Sequence, residues 1–188
     1  MKIAILAWGS LLWEKGNLAL ANKWVLGGPK LPIEFSRVSV SRCGALTLVI
    51  DTKNGAENPT FFAESSFHNL GKAIRNLARR EGTNPENIGY VTCRSEENRS
   101  RKPSVASKIR DWAENNNFDA VIWTDLPSNF YDKTHMKFTV DNAQKYLNGL
   151  DEPGSTKACI YIKNAPPEVE TPLCKRMHDE LKWLSKCS

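Results

Sequence analysis

Metal-ligand spacing is absent from this chain, and so is any framework of paired cysteines. Its five cysteines, Cys43, Cys93, Cys159, Cys174 and Cys187, are an odd number with no C-x-x-C pair. Neither a disulfide framework nor a structural zinc site is therefore expected. Histidine is scarce: His68, His135 and His178 lie far apart and read as surface residues. No G-x-G-x-x-G follows a strand pattern, and there is no P-loop, H-E-x-x-H or G-x-S-x-G. Ser10 has no histidine base in its pattern, and no cysteine has the basic context of a nucleophile. No apolar run approaches the ~20 residues of a membrane span. Residues Met1 to Ala7 carry one basic residue and too short an apolar stretch for a signal peptide. A buried first strand is expected there, and a reducing, cytoplasmic setting is the default.

What the chain has is ordinary globular composition: 188 residues, 40% hydrophobic, 25% charged, with a net charge of +5. That length fits one domain able to bury its own core. The charge is uneven, since residues 72–110 hold ten Lys and Arg against four Glu. Such a run is a solvated face or a basic rim more often than a nucleic-acid surface, and no nucleic-acid motif accompanies it.

The most informative stretch is Leu70 to Gly82. Leu70, Ala73, Ile74, Leu77 and Ala78 fall at i, i+3, i+4, i+7 and i+8, one face of a helix. Glu81 is the next position on that face, and Gly82 is a natural stop. A carboxyl in line with a buried stripe, at the negative end of a helix, is placed for its pKa to rise. Most last-turn glutamates are simply solvated, and that reading stands beside it.

Before this helix, Ile3 to Ala7 reads as a strand buried on both faces. It runs into Trp8-Gly9-Ser10-Leu11, a turn whose backbone N–H groups can form an anion-binding concavity. Gly27-Gly28-Pro29 marks a loop. Residues 33–40 and 45–51 read as strands joined by a hairpin turn at Ser41 to Gly44, with further strands at 60–64 and 88–94. The second half is mainly helical. Its pieces start at Pro103, then cover residues 139–150, 155–164 and 172–186, with one more buried strand at 119–124. Thr171 and Pro172 sit as N-cap and first residue of the last helix, whose stripe is Leu173, Met177, Leu181 and Leu184. Strands and helices do not alternate regularly. The expected class is α+β: a mixed, mostly antiparallel sheet, closed into a small barrel with helices outside. Residues 1–94 would form the core and 95–188 a helical elaboration within a single domain.

A turn of backbone donors and a carboxyl at a helix end suit a reaction that needs a general acid/base and no protein nucleophile. With Trp8-Gly9-Ser10-Leu11 after the first strand, and Leu77-Ala78-Arg79-Arg80-Glu81-Gly82 followed by Ile88-Gly89-Tyr90, the first half resembles the γ-glutamylcyclotransferase-like family. The resemblance implies a small mixed β-barrel. It also implies cyclisation of a γ-glutamyl amide to 5-oxoproline with release of an amine or amino acid. Glu81 would be the general acid/base, and the Gly9, Ser10 and Leu11 amides would cradle the substrate with Trp8 as a wall. The implied partner is a small γ-glutamyl molecule, with no nucleic acid or membrane, no cofactor and no metal. The chain departs from the family pattern in Trp8, where the family has Tyr, in Ala78, where it has Asp, and in its long helical tail.

Further candidates are Arg37, which can pair with a carboxylate, and Trp123, Asn129 and Phe130, which follow a strand. Glu64 and Asp51 are alternative acids at strand ends. A non-catalytic binding module of the same fold is the competing reading.

Overall fold

A computed structural model describes residues 1–95 and 97–179. Its strands are β1 (Ile3–Ala7), β2 (Val25–Val38), β3 (Leu46–Ile50), β4 (Ala56–Glu64), β5 (Ile88–Thr92), β6 (Asn98–Arg99) and β7 (Ala120–Thr124). Its helices are α1 (Leu70–Glu81), α2 (Pro103–Asn115), α3 (Phe130–Thr134), α4 (Val140–Asn148), α5 (Glu152–Asn164) and α6 (Pro172–Asp179). The class is α+β, with one sheet in the order β3-β2-β4-β1-β7-β5-β6. β1 runs antiparallel to β4 and parallel to β7, and β5 is antiparallel to both β6 and β7. The expected barrel does not form among the described residues, because the order ends at β3 on one side and at the two-residue β6 on the other. The chain divides into two compact units: Met1–Leu31 with Pro59–Leu126, and Pro32–Asn58 with Pro127–Ser188.

The first unit is built on β1, whose five residues are all buried. Ile3, Ile5 and Ala7 share one face, as period-2 alternation requires. They form a core with Ala73, Ile74, Leu77 and Ala78 of α1, Ile88 of β5, and Ala120 and Ile122 of β7. The α1 stripe thus packs as its spacing predicts. Asn69 caps the helix start through the Lys72 N–H at 3.0 Å. Gly82 ends it in the left-handed region at φ 61°, with its N–H and that of Thr83 taking up the last carbonyls. The loop expected at Gly27 to Pro29 is instead part of β2. Thr60 explains this: its hydroxyl donates to the Pro29 carbonyl at 2.7 Å, and a Cβ on Gly28 would lie 2.3 Å from its Oγ1. The glycine permits close approach of two backbones within the sheet.

In the second unit β2 and β3 form the expected hairpin, with Ile33 opposite Ile50 and Val38 opposite Leu46. The connection is a 3-10 turn over Val40–Arg42, closed by Cys43 and Gly44 at positive φ. The register slips by one residue between Glu34 and Arg37, a bulge in β2. Thr171 caps α6, accepting the Cys174 N–H at 3.1 Å, and Leu173 and Met177 are buried as expected. Leu181 and Leu184 lie outside the described residues. The short α3 was not expected. Cys43, Cys93 and Cys174 are free, and Cys159 is disulfide-bonded.

Gly89 is a tight steric constraint in the first unit, set by an aromatic ring. A Cβ there would lie 2.4 Å from Cε2 of Trp123, which is fully buried opposite it on β7. Gly89→Ala is expected to lower stability by about 1–3 kcal/mol, the usual cost of overpacking, as read by urea denaturation. An unchanged midpoint would show that the Trp123 ring moves aside freely.

Candidate functional site

The turn after β1 and the end of α1 meet within the first unit. Trp8 is 5% exposed and Leu11 joins the α1 core. The turn is closed by the Leu12 N–H to the Gly9 carbonyl at 2.9 Å and the Glu14 N–H to the Ser10 carbonyl at 2.8 Å. Both bonds use carbonyls at the start of the turn.

Arg80 joins this turn to Glu81. Its Nη2 donates to the Ser10 carbonyl at 3.0 Å and also to the Glu14 carbonyl, which its Nε reaches at 3.0 Å. Its Nη1 meets Oε1 of Glu81 at 2.6 Å. The two side chains are 10% and 17% exposed, so this ion pair is mostly withdrawn from water. A planar fork with fixed donors suits one side chain to two carbonyls and a carboxylate at once. By helical spacing alone Arg80 falls off the apolar stripe of α1. Its role depends on partners up to 70 positions away in sequence, which no local spacing reveals.

The remaining candidates separate. Arg37 belongs to the second unit, where its Nη1 donates to the Pro127 carbonyl at 2.8 Å. Asn129, in the same unit, clasps Val38 through both its N–H at 2.7 Å and its carbonyl at 3.1 Å. Phe130 is fully buried, edge-on to Phe138 and Tyr146. Both are packing residues. Trp123 is a fully buried ring against Gly89. Asp51 organises the turn after β3, accepting from the Lys53 N–H at 3.0 Å, the Asn54 N–H at 3.1 Å and the Asn54 amide at 3.0 Å. Burial pushes its carboxyl up, but those bonds outweigh it and hold the pKa below the ordinary value. Glu64 takes part through its backbone, its N–H donating to the Asn22 side chain at 2.9 Å. His68 is near the chain start, its Nδ1 3.3 Å from the Met1 carbonyl. Among the described residues no group of three or more His, Cys, Asp and Glu could hold a metal ion. No described helix is long and apolar enough to cross a membrane.

Nothing among known protein families, curated proteins or solved structures matches this chain.

Removing the Arg80 fork should loosen the turn. Arg80→Met keeps much of the packing but leaves two carbonyls and a mostly buried carboxylate without it. A loss of about 2–4 kcal/mol is expected from urea denaturation. Arg80→Lys should recover less than half of this, since a point charge cannot reproduce the fork. Full recovery with lysine would reduce the contact to charge alone.

Proposed function

We propose that this chain is a γ-glutamylcyclotransferase-like enzyme, with Glu81 as general acid/base and the Trp8–Leu11 turn as substrate cradle. The observation that carries the reading is the Arg80 bridge. It brings the glutamate of one motif and the turn of the other to a single guanidinium in one compact unit. The substrate's α-amine attacks its own γ-carbonyl, forming the ring C–N bond. Glu81 takes the proton from that amine. The γ-amide C–N bond then breaks, and the same proton passes to the leaving amine, giving 5-oxoproline. One carboxyl serves both transfers because the two nitrogens flank one carbon. Holding the substrate folded supplies the proximity that a protein nucleophile would otherwise provide. Backbone N–H groups at Gly9, Ser10 and Leu11 are suited to the substrate carboxylate or the developing oxyanion. The substrate is a small γ-glutamyl molecule, and neither cofactor, metal nor nucleic acid enters the reaction.

Two features weigh on the details. Trp8 has no phenolic hydroxyl, so it contributes a wall and no proton. The three free cysteines suit a cytoplasmic setting, and the Cys159 disulfide is the observation on the other side. The ion pair itself favours a second reading. A carboxylate spent on Arg80 also serves to pin the turn, which would make the fold a binding module with Glu81 structural.

Incubation with γ-glutamyl amino acids, γ-glutamyl amines and glutathione, followed by assay for 5-oxoproline, separates the two. Release from at least one is expected, and Glu81→Gln should lower it about 10²–10⁴-fold with the melting temperature near the parent's. No release from any of the panel rejects the reaction for those substrates. Full activity in Glu81→Gln assigns the proton transfer elsewhere.

A further inference from the structure

A buried polar group ordinarily finds a partner. Glu34 of the second unit is an example, 0% exposed at the β2 bulge. Its Oε1 accepts the Phe35 N–H at 2.7 Å. Its Oε2 is 3.4 Å from the Leu173 N–H at the start of α6, and the Thr171 hydroxyl also donates to it. The end of β7, in the first unit, departs from this pattern. Trp123 Nε1, Thr124 Oγ1 and Asp125 Oδ1 belong to three consecutive residues, and each is buried with no hydrogen-bond partner among the described residues. Period-2 alternation sends them to two faces. Ala120 and Ile122 pack in the α1 core, so Thr124 is on the α1 side of the sheet, and Trp123 and Asp125 are on the other. There the Trp123 ring lies against Gly89. Asp125 accepts the Arg101 N–H at 2.6 Å through Oδ2, with Lys102 Nζ 3.6 Å from Oδ1. Only the Thr124 hydroxyl is on the side of Glu81.

Thr124 is thereby placed beside both motifs of the candidate site. Across the sheet it is level with Ile88 of β5, which shares the α1 core. On the parallel β1, Ile5 is level with Ile122, so Ala7 is level with Thr124, one residue before Trp8. Neighbouring strands are about 4.8 Å apart, which puts Thr124 one strand from the turn. The last turn of α1 covers this end, where Arg80 reaches the Ser10 carbonyl at 3.0 Å. Asn87 ties down the segment that follows: its carbonyl accepts the Asp125 N–H at 2.8 Å, and its amide donates to the Thr83 hydroxyl at 2.8 Å.

We propose that the Thr124 hydroxyl is a further substrate contact in the cyclisation: its oxygen accepts one N–H of the substrate's α-amine and turns the nitrogen lone pair toward the γ-carbonyl, while Glu81 takes the other proton. This role rests on the reading of Glu81 as general acid/base. Chemistry selects the amine as the group held. Arg80 and the backbone N–H groups of the turn only donate, so they suit the substrate carboxylate and the oxyanion. An attacking amine needs an acceptor, and a neutral one, because a second carboxylate would hold it as the unreactive ammonium. The protons balance. Attack forms the ring C–N bond and leaves two N–H bonds on that nitrogen. One proton goes to Glu81 and on to the leaving amine, and the N–H held by Thr124 is the one that 5-oxoproline keeps. Without substrate the hydroxyl contributes no internal bond, and the bound amine supplies its partner.

Thr124→Val and Thr124→Ser in the full chain test this, with whichever γ-glutamyl compound of the panel releases 5-oxoproline. Thr124→Val keeps the shape and removes the hydroxyl. Its kcat should fall about 10–100-fold with KM close to the parent's, as for a contact that acts at the reacting nitrogen. Its urea midpoint should equal or exceed the parent's, since no internal hydrogen bond is lost. Thr124→Ser keeps the hydroxyl and should recover most of the lost rate. Parent kcat in Thr124→Val overturns the contact and leaves the Glu81 reading standing. A urea midpoint that falls together with the rate in Thr124→Val overturns it too, because the hydroxyl is then structural. So does Thr124→Ser as slow as Thr124→Val. No 5-oxoproline from the parent with any of the panel overturns the Glu81 reading and this contact with it. Should Thr124→Val not fold, Thr124→Ser and Thr124→Ala, which differ by the same hydroxyl, are compared by rate and urea midpoint in its place.

Discussion

The apolar stripe of α1 against β1 and β7 is the contact on which the candidate site depends. Ala73, Ile74, Leu77 and Ala78 can meet Ile3, Ile5 and Ile122 in only one rotation of the helix. That rotation fixes where the last turn points. Gly82 then stops the helix in a conformation that costs other residues about 1–2 kcal/mol. Arg80 and Glu81 are therefore delivered together to the turn that follows β1. The strand is held on both sides by β4 and β7, and the turn begins where its ladder ends. Neither the guanidinium nor the carboxylate chooses its place; packing several residues away does. This explains how a pair of adjacent side chains can meet groups some 70 residues distant without a long ordered loop.

What could be read from the sequence follows the range of the forces involved. The limits of α1 were legible because an apolar period, a following glycine and a last-turn acid all act within four residues of one another. The β2–β3 hairpin was legible for the same reason. Gly27 to Pro29 misled, since its two glycines and proline look like punctuation, whereas Thr60 from a distant strand makes use of the missing Cβ. The open sheet could not be told from a barrel, because closure depends on which edges pair across the chain. The five-residue α3 has no room for a period. Glu81 was found as an acid out of place on an apolar face. Arg80 was not, because its own helix gives no reason for it to reach Ser10 and Glu14. Glu34 had a weak signal, a lone acid between Ile33 and Phe35. Without knowing that residues 33–36 of β2 are buried on both faces, it reads as the solvent side of an alternating strand.

Glu34 and Glu81 show how context divides one chemical group into two uses. Both carboxyls are largely withdrawn from water, and both lie at a helix terminus. Glu81 is at a C-terminus, where the helix dipole opposes negative charge, and it has a guanidinium 2.6 Å away. Glu34 is at an N-terminus, where the dipole and the free N–H groups favour negative charge, and it has no cation among the described residues. The dipole and the Leu173 N–H do not make up for burial, since the carboxyl still stands near 7. A helix N-terminus contributes about 0.3–2 kcal/mol, whereas removing an unpaired carboxylate from water costs several. The cation decides: Glu81 has Arg80 beside it to offset the loss of water, whereas Glu34 has none among the described residues, and its charge and its contacts compete.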